Sequence, residues 1–145
     1  MNLSTHFTLA EFTQSQAAAR YSMDNTPPDS VLPALIHTAF GLEGVRTLLG
    51  VPIIVTSGYR STAVNHAVGG AAGSQHTIGQ AVDFIAPGFG SPLQVARAIV
   101  ASKLVFDQLI QEGSWVHVSF SGKPRKQVLT AHFDGGRATY TEGLA

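Results

Sequence analysis

The sequence predicts an α+β fold: a small, mainly antiparallel sheet with helices packed on one side. Apolar residues recur at helical spacing in separate blocks, the longest running from Leu32 to Leu49. Between and after those blocks lie short β-branched or alternating runs of strand length, and two late runs are joined by Glu112-Gly113-Ser114, a hairpin signal. Helices and strands alternating without a repeating βαβ period place the chain in the α+β class.

Taken in order, Thr8-Leu9-Ala10-Glu11 reads as a capping box, opening a helix to about Arg20 with Leu9, Phe12 and residues 16–19 at helical spacing. Asn25-Thr26-Pro27-Pro28 turns the chain. Asp29 or Ser30 then caps a long helix whose apolar positions are Leu32, Leu35, Ile36, Ala39, Leu42, Val45 and Leu49, with Gly50 as its stop. Residues 52–56 form a buried strand that delivers Ser57-Gly58-Tyr59-Arg60 at its end. Ser61 caps a short helix to Val68, closed by Gly69-Gly70, and residues 71–74 are small enough for backbone to pass close to a ligand. Residues 81–86 form a second strand, and 91–103 a helix with Pro92 at its first position. Strands follow at 105–111, 115–120 and 127–133, and the tail after Asp134 carries no clear pattern.

With 145 residues, the simplest organisation is a single domain over 1–145. Hydrophobic residues at 44% against 12% charged argue for a packed globule. Nine basic and nine acidic residues leave no basic stripe for nucleic acid. No apolar run reaches the ~18 residues of a membrane span, so no membrane insertion is expected. A monomer is the expected state. The N-terminus shows neither a basic n-region nor an apolar h-region, which predicts synthesis without a signal peptide. Without cysteine there is no disulfide framework and no thiolate metal site, so a metal would sit on His, Asp or Glu.

One stretch can supply such ligands. Residues 57–83 hold an arginine just after a strand, a glycine-dense loop, and His76 and Asp83 separated by six residues. Alternation on strand 115–120 puts Trp115, His117 and Ser119 on one face and Val116, Val118 and Phe120 on the other, so His117 points away from the core. A lone histidine on a sheet face is ordinary. Asp83, among Ala81, Val82, Phe84 and Ile85, needs a partner to be buried: a metal, or an arginine such as Arg60 or Arg97. Two imidazoles and one carboxylate suit Zn²⁺, with the fourth position open to water.

The segment S-Q-H-T-I-G-Q-A-V-D resembles the S-x-H-x-x-G-x-A-x-D signature of the M15 peptidases, the zinc D-Ala-D-Ala carboxypeptidases and L-alanyl-D-glutamate endopeptidases with the hedgehog-type fold. S-G-Y-R-S, N-H-A-V-G-G and F-D-Q-L-I-Q-E-G-S-W-V-H-V-S-F are similar to the phage-type branch, and the matching segments cover most of residues 51–120. The resemblance implies zinc on His76, Asp83 and His117, an arginine at Arg60 that holds a substrate carboxylate through its rigid charged fork, and Ser74 as a second donor to that group. It implies a peptidoglycan stem peptide as substrate, cut as a carboxypeptidase or an endolysin, and action on the cell wall after release of a phage-type lysin. Tyr59 and Gln108 are candidates to line the groove.

A hydrolase of this kind needs a general base to take a proton from the attacking water. Much of the family carries an acid three residues before its last histidine; that place here is Ser114. Glu112, five residues before His117, is the candidate base, and the phage-type branch resembles this chain in having a glutamate there. Its alternative is an exposed turn residue; Asp107 is the fallback. Ser114 also supports a second reading, a metal-stabilised wall-binding or virion module that does not cut.

Overall fold

In the computed structural model, which describes residues 1–144, five helices and six strands follow one another as α1 (Leu9–Thr13), α2 (Gln16–Arg20), α3 (Leu32–Leu49), β1 (Ile54–Ser57), α4 (Thr62–Ala67), β2 (Ala81–Ile85), α5 (Pro92–Ala101), β3 (Gln108–Gln111), β4 (Val116–Ser119), β5 (Gln127–Asp134) and β6 (Arg137–Glu142). Short 3₁₀ turns precede α3 (Asp29–Val31) and β2 (Gln75–Ile78). The strands form one sheet in the order β1-β2-β4-β3-β5-β6, antiparallel throughout except for the β3–β5 pair. This is the expected α+β class.

Local chemistry explains where the elements differ from expectation. The first helix is two helices. Thr8 and Glu11 make the capping box of α1, but Ser15 adopts an extended backbone and its hydroxyl accepts from the Ala18 amide, capping α2 afresh. Neither Asp29 nor Ser30 caps α3; they lie in the 3₁₀ turn, and α3 begins after Val31 with no side-chain cap. Gly50, at φ 69°, ends α3 as expected. β3 begins at Gln108, later than the run from 105, although the Asp107 amide still donates to the Ser119 carbonyl at 2.8 Å and its carbonyl accepts from the Gln127 amide at 2.9 Å. The tail that lacked a pattern is β6, a hairpin partner for β5 from Leu129–Glu142 to Asp134–Arg137. Its side chains are all exposed, so no hydrophobic alternation marks it.

The core lies between the helices and one face of the sheet. Leu35, Ala39, Leu42 and Val45 of α3 and Val95, Ala96 and Ile99 of α5 are buried with Val82 and Phe84 of β2, Leu109 of β3 and Val116 and Val118 of β4. α5 packs on α3, β3 and β4. The N-terminal segment closes the edge of this core: the tilted rings of Phe7 and Phe12 pack with centroids 5.9 Å apart, and Glu43 accepts from the Ser4 hydroxyl and the His6 amide. Helices on one face leave the alternate residues of β2 and β4 facing the other way. That free face carries the polar cluster described below.

Two contacts fix the approaches to that face. Gly58 passes against the main chain of Phe12, whose carbonyl accepts from the Tyr59 amide at 2.7 Å; a Cβ on Gly58 would lie 2.3 Å from the Phe12 oxygen. Asp107, buried beside β3, accepts from the Arg125 amide and guanidinium at 2.9–3.0 Å and from Gln75 at 2.8 Å. Hydrogen bonding from Arg125 holds the Asp107 carboxyl down at about 2.

Replacing Gly58 with Ala should lower stability by about 2–3 kcal/mol, because the clash is with backbone that cannot rotate away; an unchanged thermal midpoint contradicts this. For Asp107 the depressed carboxyl means stability present above the unfolded value near 4 and lost as pH falls toward 2. Discounted for the half-exposed Arg125, the wild type should exceed Asp107→Asn by about 1–2 kcal/mol at pH 7, and the gap should close by pH 2. Urea melts at both pH values measure it, and a gap independent of pH contradicts it.

Candidate metal centre and cleft

Asp83 and His117 are direct partners across the antiparallel β2–β4 ladder. Residues facing each other in this way share a face of the sheet with their side chains in reach. Their neighbours Val82, Phe84, Val116 and Val118 fill the core face, so apolar patterning on both strands turns Asp83 and His117 outward together. A one-residue slip would bury both polar groups in the core, so the core face itself enforces this register. Asp83 Oδ1 lies 3.0 Å from His117 Nδ1.

His76 arrives from the 3₁₀ turn before β2. Ser74 caps that turn, its hydroxyl accepting from the His76 amide. The turn is held on both sides: the Arg60 amide donates to the His76 carbonyl at 3.1 Å, and the Thr38 hydroxyl of α3 donates to the Gly79 carbonyl at 2.7 Å. Gly79 leaves the turn at φ 76°, against Val31 and Leu35, where a side chain would meet both strain and contact. The His76 ring stands edge-on to that of His117, centroids 5.1 Å apart, with Nε2 3.3 Å from Asp83 Oδ1.

The tautomer follows from the partners. His76 Nδ1 is 2.7 Å from the Gly58 carbonyl oxygen, which can only accept, so Nδ1 carries the hydrogen. In the neutral ring Nε2 is then a lone pair aimed at a carboxylate oxygen. Burial favours that neutral ring, pushing His76 below its ordinary value despite the pull of Asp83. Two acceptors 3.3 Å apart in a buried site call for a cation between them.

The donor set fits a metal ion. One ligand atom from each of His76, Asp83 and His117, all buried, lies within 4.8 Å of the others. A tetrahedron with bonds of about 2.0–2.1 Å has edges of about 3.3–3.4 Å, close to the 3.0 and 3.3 Å separations of the two nitrogens from Asp83 Oδ1. The Gly58 carbonyl orienting His76 is the outer hydrogen bond that metal-binding imidazoles use to fix their tautomer. Arg60 adds a fixed cation at 3.5 Å from Asp83 Oδ2, so both partners weighed for the buried carboxylate, arginine and metal, have a geometric basis.

These groups sit in an open cleft of about 410 Å³, which Arg60, Ser74, Gln108 and Glu112 also line. Arg60 is braced through Nε by the Ser57 hydroxyl and through Nη1 by Asn65, with Nη2 toward Asp83. Glu112 is half-buried at the hairpin and not an exposed turn residue; the Trp115 indole N–H donates to its Oε2 at 2.5 Å. Burial, with the nearby charge of Asp83, pushes its carboxyl above the ordinary value.

Two expectations are corrected. Tyr59 does not line the groove: its side chain is buried in the hydrophobic core, its amide donates to the Phe12 carbonyl, and its own carbonyl accepts from Asn25. Asp107, the fallback base, lies outside the cleft lining with its oxygens occupied by Arg125 and Gln75. Gln75, Trp115, Arg125 and Tyr140 line the cleft without having been singled out. Trp115 shared the face of His117 in the alternation, which was the available signal; Arg125 lies in the loop before β5, and Tyr140 comes from the segment whose strand left no pattern.

The family model for peptidase M15 matches residues 5–119, from the N-terminal segment through β4. No curated protein matches the chain. The matched region includes every one of the three clustered ligand candidates as well as Arg60, Ser74 and Glu112, while β5 and β6 lie beyond it. Among the described residues no helix is long and apolar enough to cross a membrane. With the match covering most of its length, this chain belongs to the peptidase M15 family.

Proposed function

We propose that the chain is a zinc peptidase, a single catalytic domain that hydrolyses stem-peptide bonds of bacterial peptidoglycan as a D-Ala-D-Ala carboxypeptidase or an endolysin-type endopeptidase. The observation that carries the reading is the lone pair of His76 Nε2 facing the Asp83 carboxylate beside His117 in a cleft that also holds Glu112. His76, Asp83 and His117 would hold the ion. Zn²⁺ bound there supplies Lewis-acid polarisation of the scissile carbonyl and acidifies water toward a pKa of about 7.

The protein's own groups do the rest. Glu112, fixed through one oxygen by Trp115, has its other oxygen available to accept the proton of the attacking water as that water's oxygen bonds to the carbonyl carbon. The C–N bond then breaks and the same proton passes from Glu112 to the leaving nitrogen, restoring the carboxylate. A carboxylate whose pKa is raised above its ordinary value is a stronger base, and so better matched to taking that proton near neutral pH. Arg60 pairs with a carboxylate of the stem peptide, and the Ser74 hydroxyl, which accepts from the His76 amide, keeps its own hydrogen to donate to the same group. Gln108, tied to Gln127, forms part of the wall. A half-buried Glu112 in the cleft favours this reading over a module that binds without cutting.

Glu112→Gln should keep about one zinc per chain and lose at least about 10²-fold in hydrolysis of peptidoglycan, read as new termini by mass spectrometry of muropeptides. Cleavage at the wild-type rate removes Glu112 from the mechanism. His76→Ala should lose the metal as well as the activity, measured by elemental analysis after dialysis; full zinc content in that variant contradicts the assigned ligand set.

A further inference from the structure

β6 places a phenol in the cleft. Tyr140, paired with Ala131 across the β5–β6 hairpin, lines the same cavity as His76, Asp83, Glu112 and His117. The β5–β6 hairpin that carries it is braced: Thr130 donates to the Gly143 carbonyl at 2.7 Å, His132 Nε2 meets the Thr141 hydroxyl at 2.8 Å, and Phe133 of β5 packs on Trp115, the residue that holds Glu112. The Tyr140 ring is half exposed and its hydroxyl has no hydrogen-bond partner among the described residues. The hydroxyl is therefore a donor with its hydrogen uncommitted, on a fixed strand, beside the candidate base.

We propose that Tyr140 is a catalytic residue of this cleft, its hydroxyl donating a hydrogen bond to the scissile carbonyl oxygen as negative charge develops there. This rests on the peptidase reading and adds a group from outside the region that the family model matches. The phenol acts as donor and not as base: burial and the negative charges of Glu112 and Asp83 push it above its ordinary value, so it stays protonated at any working pH. A preorganised donor aimed at developing charge stabilises the transition state more than the ground state. The nearby carboxylates also disfavour a substrate carboxylate at this spot, leaving anion binding to Arg60. Because β6 is solvent-facing on its other residues, nothing in the core requires a tyrosine at position 140.

The test is Tyr140→Phe, which keeps the ring and removes only the hydroxyl. In the zinc-loaded full chain, kcat on the muropeptide substrate should fall about 10²-fold with KM within about twofold, zinc content and thermal midpoint unchanged. Affinity for a phosphinate analogue of the D-Ala-D-Ala or the L-Ala-D-Glu bond, measured by calorimetry, should weaken by a similar factor, while affinity of Glu112→Gln protein for the uncleaved peptide stays the same with and without the Tyr140 hydroxyl. Unchanged kcat and phosphinate affinity overturn the proposal, as does a rise in KM alone or a loss of zinc, which would make Tyr140 a ground-state contact or a structural residue. If the wild type cleaves nothing, the peptidase reading fails while the phosphinate comparison still reads Tyr140; absence of phosphinate binding by the wild type removes both.

Discussion

The rest of the structure depends on one buried carboxylate and what surrounds it. Asp83 stands in the middle of a sheet with its Oδ1 3.0 Å from one imidazole and 3.3 Å from another. Removing a carboxylate from water is expensive unless partners compensate it. Here the partners are brought by three separate devices: cross-strand register for His117, a twice-anchored 3₁₀ turn for His76, and the end of β1 for Arg60. The helices hold the opposite face of the same strands, so the packing of Val82, Phe84, Val116 and Val118 is also what aims the polar cluster outward. Core and site are two faces of one alternation.

This explains which parts were legible in the residues. Alternation is a local signal, and it reported the outward direction of His117 and the core role of its neighbours. The order and class of elements also followed from local periodicity, since α3 and α5 bury apolar stripes and β2 and β4 bury apolar faces. Tyr59 was misjudged because nothing in the string S-G-Y-R reveals that Gly58 lies against the Phe12 backbone, a contact made by residues more than forty positions apart. The split between α1 and α2 turned on a single serine choosing to cap a new helix. β6 was missed for a different reason: an exposed edge strand buries nothing and so leaves no hydrophobic trace. Its hydrogen bonds to β5 are long-range pairings that periodicity cannot see.

The missed strand matters for the chemistry. β5 joins the sheet in parallel beside β3, and β6 then folds back along it, bringing Tyr140 to a cleft whose other walls come from residues 60–125. The Asp107–Arg125–Gln75 network ties the start of this extension to the residue before His76. The two halves of the cleft are thus mechanically linked: a group that braces the fold at low cost in solvent exposure also sets the turn from which a ligand candidate projects. The division of labour is physical. Buried nitrogen and oxygen donors would define the ion, a half-buried carboxylate would move the proton, a part-buried guanidinium would hold the substrate carboxylate, and a half-exposed phenol would meet the charge that develops on the carbonyl oxygen.

X-ray absorption at the zinc edge of the metal-loaded protein tests the central claim most directly. The account predicts about one ion per chain with nitrogen and oxygen neighbours at about 2.0–2.1 Å, two of them imidazoles, and loss of the ion or of one imidazole contribution in His117→Ala. A spectrum without histidine scattering, or one that His117→Ala leaves unchanged, would contradict it.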